Sequence, residues 1–304
     1  MPVAITDVSQ QLSNVVENTG KSVVRVEGGA RRAFSGIVWS PKQVVTIARG
    51  LRGDDAIKSA DKSAGPVVFA GGTEIKAHVK GRDEQTDLAL LELDEALPAA
   101  TFAEGAAIKV GQIVLRLARP GETVRATSGI VSTVGQKPFK SERGGEVDFF
   151  LDTDAPHQPG FSGGPLVDLE GRVLGLMTSG VLRGEEIAVP TKTIRRVVAQ
   201  LEQHGRIRRS YIGLELQPVR LPNDVQQSTG EEIGLLVTSV AKDGPAEKGG
   251  IQYGDTVLHL GDDTVRTLQD LYDYLRADHV DQSVPVKLWR NGQVLTQQVT
   301  LGAK

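Results

Sequence analysis

Cysteine is absent from all 304 residues. That excludes disulfides, thiol nucleophiles and cysteine-ligated zinc, and it leaves the redox compartment open. Aromatic residues make up only 4%, and no apolar run approaches the roughly 20 residues that a helix needs to cross a bilayer. Neither sign of charge dominates: 35 Lys and Arg against 38 Asp and Glu leave a formal net charge of −3. Nucleic acid and a membrane are therefore not expected as partners. No residue grouping asks for a cofactor or a metal ion. The segment Met1–Asp7 has neither a basic stretch nor an apolar one, so it does not read as a secretory leader. Taken as written, the chain is expected to be soluble and cytoplasmic, with a periplasmic or extracytoplasmic site as the alternative if a leader has been removed.

Glycine is plentiful, at 35 residues. Together with many short β-type runs it favours a turn-rich, mainly β architecture of two or three domains. Residues 6–18 place Val8, Leu12, Val15 and Val16 on one helical face, with Thr6 or Asp7 as N-cap and Gly20 as the stop. Six strands follow, at Ser22–Glu27, Ser35–Ser40, Gln43–Ile47, Pro66–Phe69, Ile75–Lys80 and Asp87–Leu93. So many strands in so short a stretch suggest a small antiparallel barrel. A second series, at Gln112–Ala118, Thr123–Val134, Asp148–Leu151, Pro165–Asp168, Arg172–Thr178 and Glu186–Val189, suggests another.

At Thr191 the period becomes helical, with Ile194, Val197, Val198 and Leu201 on one stripe and Gly205 at the C′ position. Arg206, Arg208 and Arg209 read as a solvated hinge. Beyond it, strands at Ile212–Leu216, Gly234–Val240 and Asp255–Leu260 precede a helix Leu268–Ala277 capped by Thr267. A hairpin of Val286–Arg290 and Gln293–Leu301 turns on Asn291-Gly292. The expected division is residues 1–208 and 209–304.

The stretch with chemistry in it is Pro159-Gly160-Phe161-Ser162-Gly163-Gly164-Pro165. A serine among glycines, between two strand-like runs, exposes its hydroxyl on a tight turn and lets backbone N–H groups face a substrate oxygen.

Two barrels with such a turn in the second resemble the chymotrypsin-like fold. Tyr211-Ile212-Gly213-Leu214, followed by Gly244-Pro245-Ala246 and Gly249-Gly250-Ile251-Gln252-Tyr253-Gly254-Asp255, resembles a PDZ domain. The pair resembles the HtrA/DegP family: a trypsin-like serine protease unit followed by an α+β PDZ domain. The resemblance implies Ser162 as nucleophile, the Gly160 and Ser162 amides as oxyanion hole, and Asp87, in Thr86-Asp87-Leu88-Ala89, as the triad acid. It further implies peptide capture by Tyr211, Ile212, Gly213 and Leu214, an S1 wall at residues 174–180 with Leu176 and Met177 hinting at an apolar preference, and a homo-oligomer, a trimer in this family.

The triad histidine is expected after a Val-Val-Thr strand end, where this chain reads Val44-Val45-Thr46-Ile47-Ala48-Arg49. None of His78, His157, His204, His259 and His279 fills that place, and position 49 is arginine. Arginine stays protonated and offers no acceptor, so it cannot take the serine proton. Losing the base costs on the order of a millionfold in turnover. A bidentate Arg49–Asp87 ion pair is expected instead. The reading is a protease homologue, inactive or severely impaired, that binds unfolded proteins or peptides with hydrophobic C termini as a chaperone or scaffold. An active serine endopeptidase is the alternative, with His157 as a substitute base, and a regulatory subunit of active relatives is a third. Phe161, before the serine, either covers the hole or packs on the barrel.

Overall fold

The computed structural model describes residues 5–29, 33–51, 65–104, 107–275 and 279–303. The chain divides into two compact units, Met1–Ile207 and Arg208–Lys304.

The first unit opens with helix α1 (Ile5–Gly20). It already runs at Ile5, so positions 6 and 7 lie within it. Val15 is buried, and Leu12 and Val16 pack on the same core. Strands β1 (Val23–Glu27), β2 (Phe34–Ser40), β3 (Gln43–Ile47), β4 (Val67–Ala70), β5 (Thr73–Asp83) and β6 (Leu88–Leu93) close a barrel in the order β1-β2-β3-β6-β5-β4. Leu88, Leu90 and Leu91 are fully buried, because β6 has the barrel interior on one face and a helix on the other. Each such leucine contributes about 1.5–3 kcal/mol relative to exposure.

Strands β7 (Ile113–Ala118), β8 (Arg125–Val134), β9 (Phe139–Lys140), β10 (Glu146–Val147), β11 (Leu151–Thr153), β12 (Pro165–Val167), β13 (Val173–Leu182) and β14 (Glu185–Pro190) follow. Six of them form the sheet β11-β8-β7-β12-β13-β14, and β11 also lies beside β14 to make it barrel-like. The small β9–β10 hairpin was not foreseen. The strand expected over Asp148–Leu151 starts only at Leu151, since Asp148 is drawn off by Thr193, Lys192 and Arg196 while Phe150 packs edge-on to Phe139. Helix α2 (Thr191–His204) packs against β5 and β6 and ends on Gly205 in the left-handed region, φ 69°.

The seam between the barrels runs through Ser35 on β2. Its amide donates to the Ser162 carbonyl (3.0 Å), its hydroxyl donates to the Gly160 carbonyl (2.8 Å), and that hydroxyl accepts from the Arg119 amide (2.9 Å). Gly163 makes the approach possible. It has φ 85°, and a Cβ there would stand 2.0 Å from the Ser35 carbonyl oxygen.

The second unit holds β15 (Ser210–Tyr211), β16 (Leu214–Arg220), β17 (Ile233–Val240), β18 (Thr256–Leu260), β19 (Asp263–Thr264), β20 (Ser283–Arg290), β21 (Gln293–Thr300) and β22 (Gly302–Ala303), with helices α3 (Asn223–Thr229), α4 (Pro245–Lys248) and α5 (Leu268–Tyr274). The main sheet runs β16-β17-β18-β20-β21, so β16 is an edge strand. The strand expected over Ile212–Leu216 is broken at Gly213, whose φ is 81°: β15 pairs with β22, and β16 begins after the turn. Thr267 caps α5 in a reciprocal box with Asp270. The helix ends at Tyr274; the expected end at Ala277 lies outside the described residues. β20 and β21 turn on Asn291-Gly292, both with positive φ. Arg208 is not a free hinge residue, being paired with Asp281 at 2.7 Å.

Candidate active site

Three elements bring the candidate side chains together. The 3₁₀ turn Ala48–Gly50 at the end of β3 carries Arg49, the turn before β6 carries Asp87, and the loop before β12 carries Ser162. Asp87 is 2% exposed and sits at φ 57°, with its carbonyl accepting from the Ala48 amide at 3.1 Å. Its Oδ1 accepts from the Arg49 amide at 2.9 Å, and its Oδ2 from the Arg49 guanidinium at 3.0 Å. The fork-to-fork pair expected from the sequence is therefore corrected: one carboxylate oxygen is already claimed by main chain, so the guanidinium takes the other through one nitrogen only. The second terminal nitrogen of Arg49 reaches Ser162 Oγ at 3.2 Å. Arg49 thus spans the distance between acid and serine.

Thr178, on β13, completes the cluster and escaped the sequence reading. Its hydroxyl donates to Asp87 Oδ2 at 2.5 Å and accepts from Arg49 at 3.1 Å. Its only signal was its place within the 174–180 stretch. Gly180, two residues on, keeps the space open, because a Cβ there would fall 2.3 Å from Asp87 Oδ2 and 2.6 Å from the Arg49 guanidinium.

Several main-chain groups of the serine loop are bonded within the fold, the Phe161 amide to the Gln158 carbonyl at 3.1 Å and the Gly163 amide to that of Met177 at 2.8 Å. The carbonyls of Gly160 and Ser162 are tied to Ser35, and that of Phe161 accepts from the Gly164 amide. All peptide bonds here are trans, so the Ser162 N–H points opposite to the Phe161 carbonyl. Among the described residues, the Gly160 and Ser162 amides have no hydrogen-bond partner. Phe161 is 1% exposed and lies in the second barrel beneath Arg116, its ring 5.9 Å from that guanidinium. It packs inward and does not cover the turn. Leu176 and Met177 are equally buried, core residues rather than a pocket lining.

His157 is engaged elsewhere. Its Nδ1 lies 2.7 Å from Glu186 Oε2, beside Arg116, which pairs with the same Glu186 and donates to the Ala155 carbonyl at 2.9 Å. The loop histidine is held by this cluster and not aimed at Ser162.

In the second unit, the Ile212 and Gly213 carbonyls accept from the Ala246 and Ala241 amides, both at 2.9 Å. The amides of Ile212 and Gly213 have no partner among the described residues. They open next to the free edge of β16, which lies against α5.

Residues 34–176 match the description of a trypsin-like peptidase domain, and residues 210–301 that of a PDZ domain. A probable periplasmic serine endoprotease, DegP-like, from Brucella suis is 35% identical over 257 residues, covering 80% of this chain and 48% of the relative. One from Rickettsia conorii is 33% identical over 242 residues, with 75% and 47% covered. The chain spans about half the length of these curated relatives. Among solved structures, a serine endoprotease from Yersinia pestis aligns with a TM-score of 0.70 at 26% identity, covering 100% of this chain and 99% of that one. The HtrA-type protease AlgW with a decapeptide aligns at 0.67 and 25%, covering 96% and 98%. The relatives' periplasmic names overturn the cytoplasmic expectation. That expectation rested on the composition of Met1–Asp7 and on the lack of a long apolar run, neither of which says where the folded units work.

Proposed function

We propose, from the premise that this chain joins a trypsin-like peptidase domain to a PDZ domain and is a DegP/HtrA homologue, that its peptidase unit is catalytically disabled and its PDZ unit binds peptide C termini. The observation that carries the first half is the Arg49 guanidinium lying between Asp87 Oδ2 and Ser162 Oγ. In a triad this place belongs to a group that accepts the serine proton and later returns it. A guanidinium donates and does not accept, so the serine and the acid flank a position without a base. The outlying His157, held by Glu186, is no substitute.

The second half rests on the Ile212 and Gly213 amides beside the edge strand β16. A peptide adds there as a further strand, its terminal carboxylate on the amides and its last side chain against α5. By analogy with the relatives' names the protein works in the periplasm, and the family resemblance extends the reading to unfolded proteins or peptides as ligands, a chaperone or scaffold role and a homo-oligomer.

A serine-reactive phosphonate tests the peptidase reading. The wild type is expected to stay unlabelled and to leave casein intact, while R49H gains labelling that Ser162→Ala removes. Strong, Ser162-dependent labelling of the wild type would show an active endopeptidase instead. For the PDZ unit, a peptide ending in leucine binds as the free acid and loses most of its affinity as the amide; equal affinities refute carboxylate capture.

A further inference from the structure

Putting a pure donor beside Ser162 changes more than the missing base. The Ser162 oxygen already accepts from Arg49 at 3.2 Å, and a hydroxyl whose lone pair is engaged turns its proton elsewhere. Beside it stand the Gly160 and Ser162 amides, without partners among the described residues. Arg49 adds positive charge and is 30% exposed, while Ser162 and Gly160 are both partly exposed. The adjacent carboxylate is committed: Asp87 Oδ1 to the Arg49 amide, Oδ2 to Thr178 and to the guanidinium. The Gly160 and Ser162 carbonyls are taken by Ser35, and that of Phe161 by the Gly164 amide. What the site offers is two amides and a guanidinium edge, all donors, and a hydroxyl whose proton is free to donate.

We propose that this cleft is a receptor for a carboxylate. One carboxylate oxygen lies between the Gly160 and Ser162 amides and the other takes the Ser162 hydroxyl and the free edge of Arg49. Charge-assisted bonds of this kind are about twice as strong as neutral ones, and a neutral amide fits the site less well because its NH₂ finds no acceptor in the guanidinium or the two main-chain amides. The inference rests on the reading that Arg49 stands where the base would be. The carboxylate has two possible sources, a peptide C terminus or a small free acid. The cleft is distinct from the PDZ loop, so the full chain holds two carboxylate sites.

Amide resonances of ¹⁵N-labelled full-length protein separate the two. Titrating N-acetyl-Ala-Ala-Leu as the free acid is expected to shift Gly160 and Ser162 as well as Gly213; the carboxamide shifts neither Gly160 nor Ser162. Sodium acetate distinguishes the sources: shifts at similar concentrations point to a small acid, and shifts only with the peptide to a C terminus. R49Q is expected to weaken the effect at Gly160 about tenfold or more, in line with a bond to a charged group, while Gly213 titrates as before. Ser162→Ala, which keeps the guanidinium, weakens it less. If Gly160 and Ser162 stay unmoved by both acids when Gly213 is saturated, or move equally with acid and carboxamide, the proposal is overturned. Phosphonate labelling of the same wild-type sample keeps the two readings apart. Labelling refutes the disabled peptidase, and unshifted amides in an unlabelled protein refute the receptor alone.

Discussion

Thr178 and Asp87 meet across the two barrels: the threonine hydroxyl donates to Asp87 Oδ2 at 2.5 Å, with both side chains shut off from solvent. A buried carboxylate needs every donor it has. Thr178→Val, which keeps the shape and deletes the hydroxyl, is expected to cost about 1–3 kcal/mol, read as a lower urea midpoint, and Thr178→Ser to recover most of it. An unchanged midpoint in the valine variant contradicts this account of the cluster.

Phe161 is a core residue in a loop otherwise concerned with chemistry. Truncating it to alanine empties space beneath Arg116, and large-to-small changes of this kind typically cost about 3–5 kcal/mol. Thermal unfolding of the variant should show the loss; a near-wild-type melting temperature would place the ring outside the core.

Arg116 is buried and its partner Glu186 largely so, 3% and 13% exposed by side chain. Removing one partner leaves an uncompensated charge, at a cost of about 3–5 kcal/mol, whereas replacing both with apolar residues is often neutral. Glu186→Leu is accordingly expected to be less stable than the double variant Arg116→Met/Glu186→Leu. The reverse order in chemical denaturation disproves the pairing argument.

His259 sets an acid limit on the second unit. Burial pushes its pKa below the ordinary 6.5, Lys287 and Arg266 push the same way, and Glu231 opposes them. The folded imidazole then stays neutral at pH values where the unfolded chain has taken up a proton. Stability is complete above about pH 6.5, falls as pH drops toward the depressed folded value, and is level below it. His259→Gln should flatten that slope in urea titrations between pH 8 and 5; an identical slope rules out His259 as its source.

Regular elements were legible where the pattern was local. The apolar stripe on α2, the Asn291-Gly292 turn and the Thr267 cap follow from neighbours in sequence, and so do most barrel strands. Asp148–Phe150 was misread because distant partners override its strand character: Thr193, Lys192 and Arg196 take the carboxylate. The break at Gly213 was hidden in a run that alternates like a strand. At the candidate site, the motif indicated Ser162 and Asp87, but Thr178 has no motif and becomes visible only when β13 is set against the turn before β6. Nor could sequence tell that the Arg49 amide claims one oxygen of Asp87 and limits the ion pair to a single nitrogen.

Ser35 gives the seam a thermodynamic meaning. Its amide and hydroxyl hold the carbonyls of Ser162 and Gly160, and its own carbonyl accepts from the Thr46 hydroxyl at 2.7 Å. A single β2 residue thus binds the inner strands of one barrel to the tight turn of the other. Neither barrel can melt while its neighbour stays folded without stranding these buried groups, and each stranded group costs about 1–3 kcal/mol. Residues up to Ile207 are expected to lose structure in one cooperative calorimetric transition, so any loosening that reshapes the serine turn draws on the stability of both barrels.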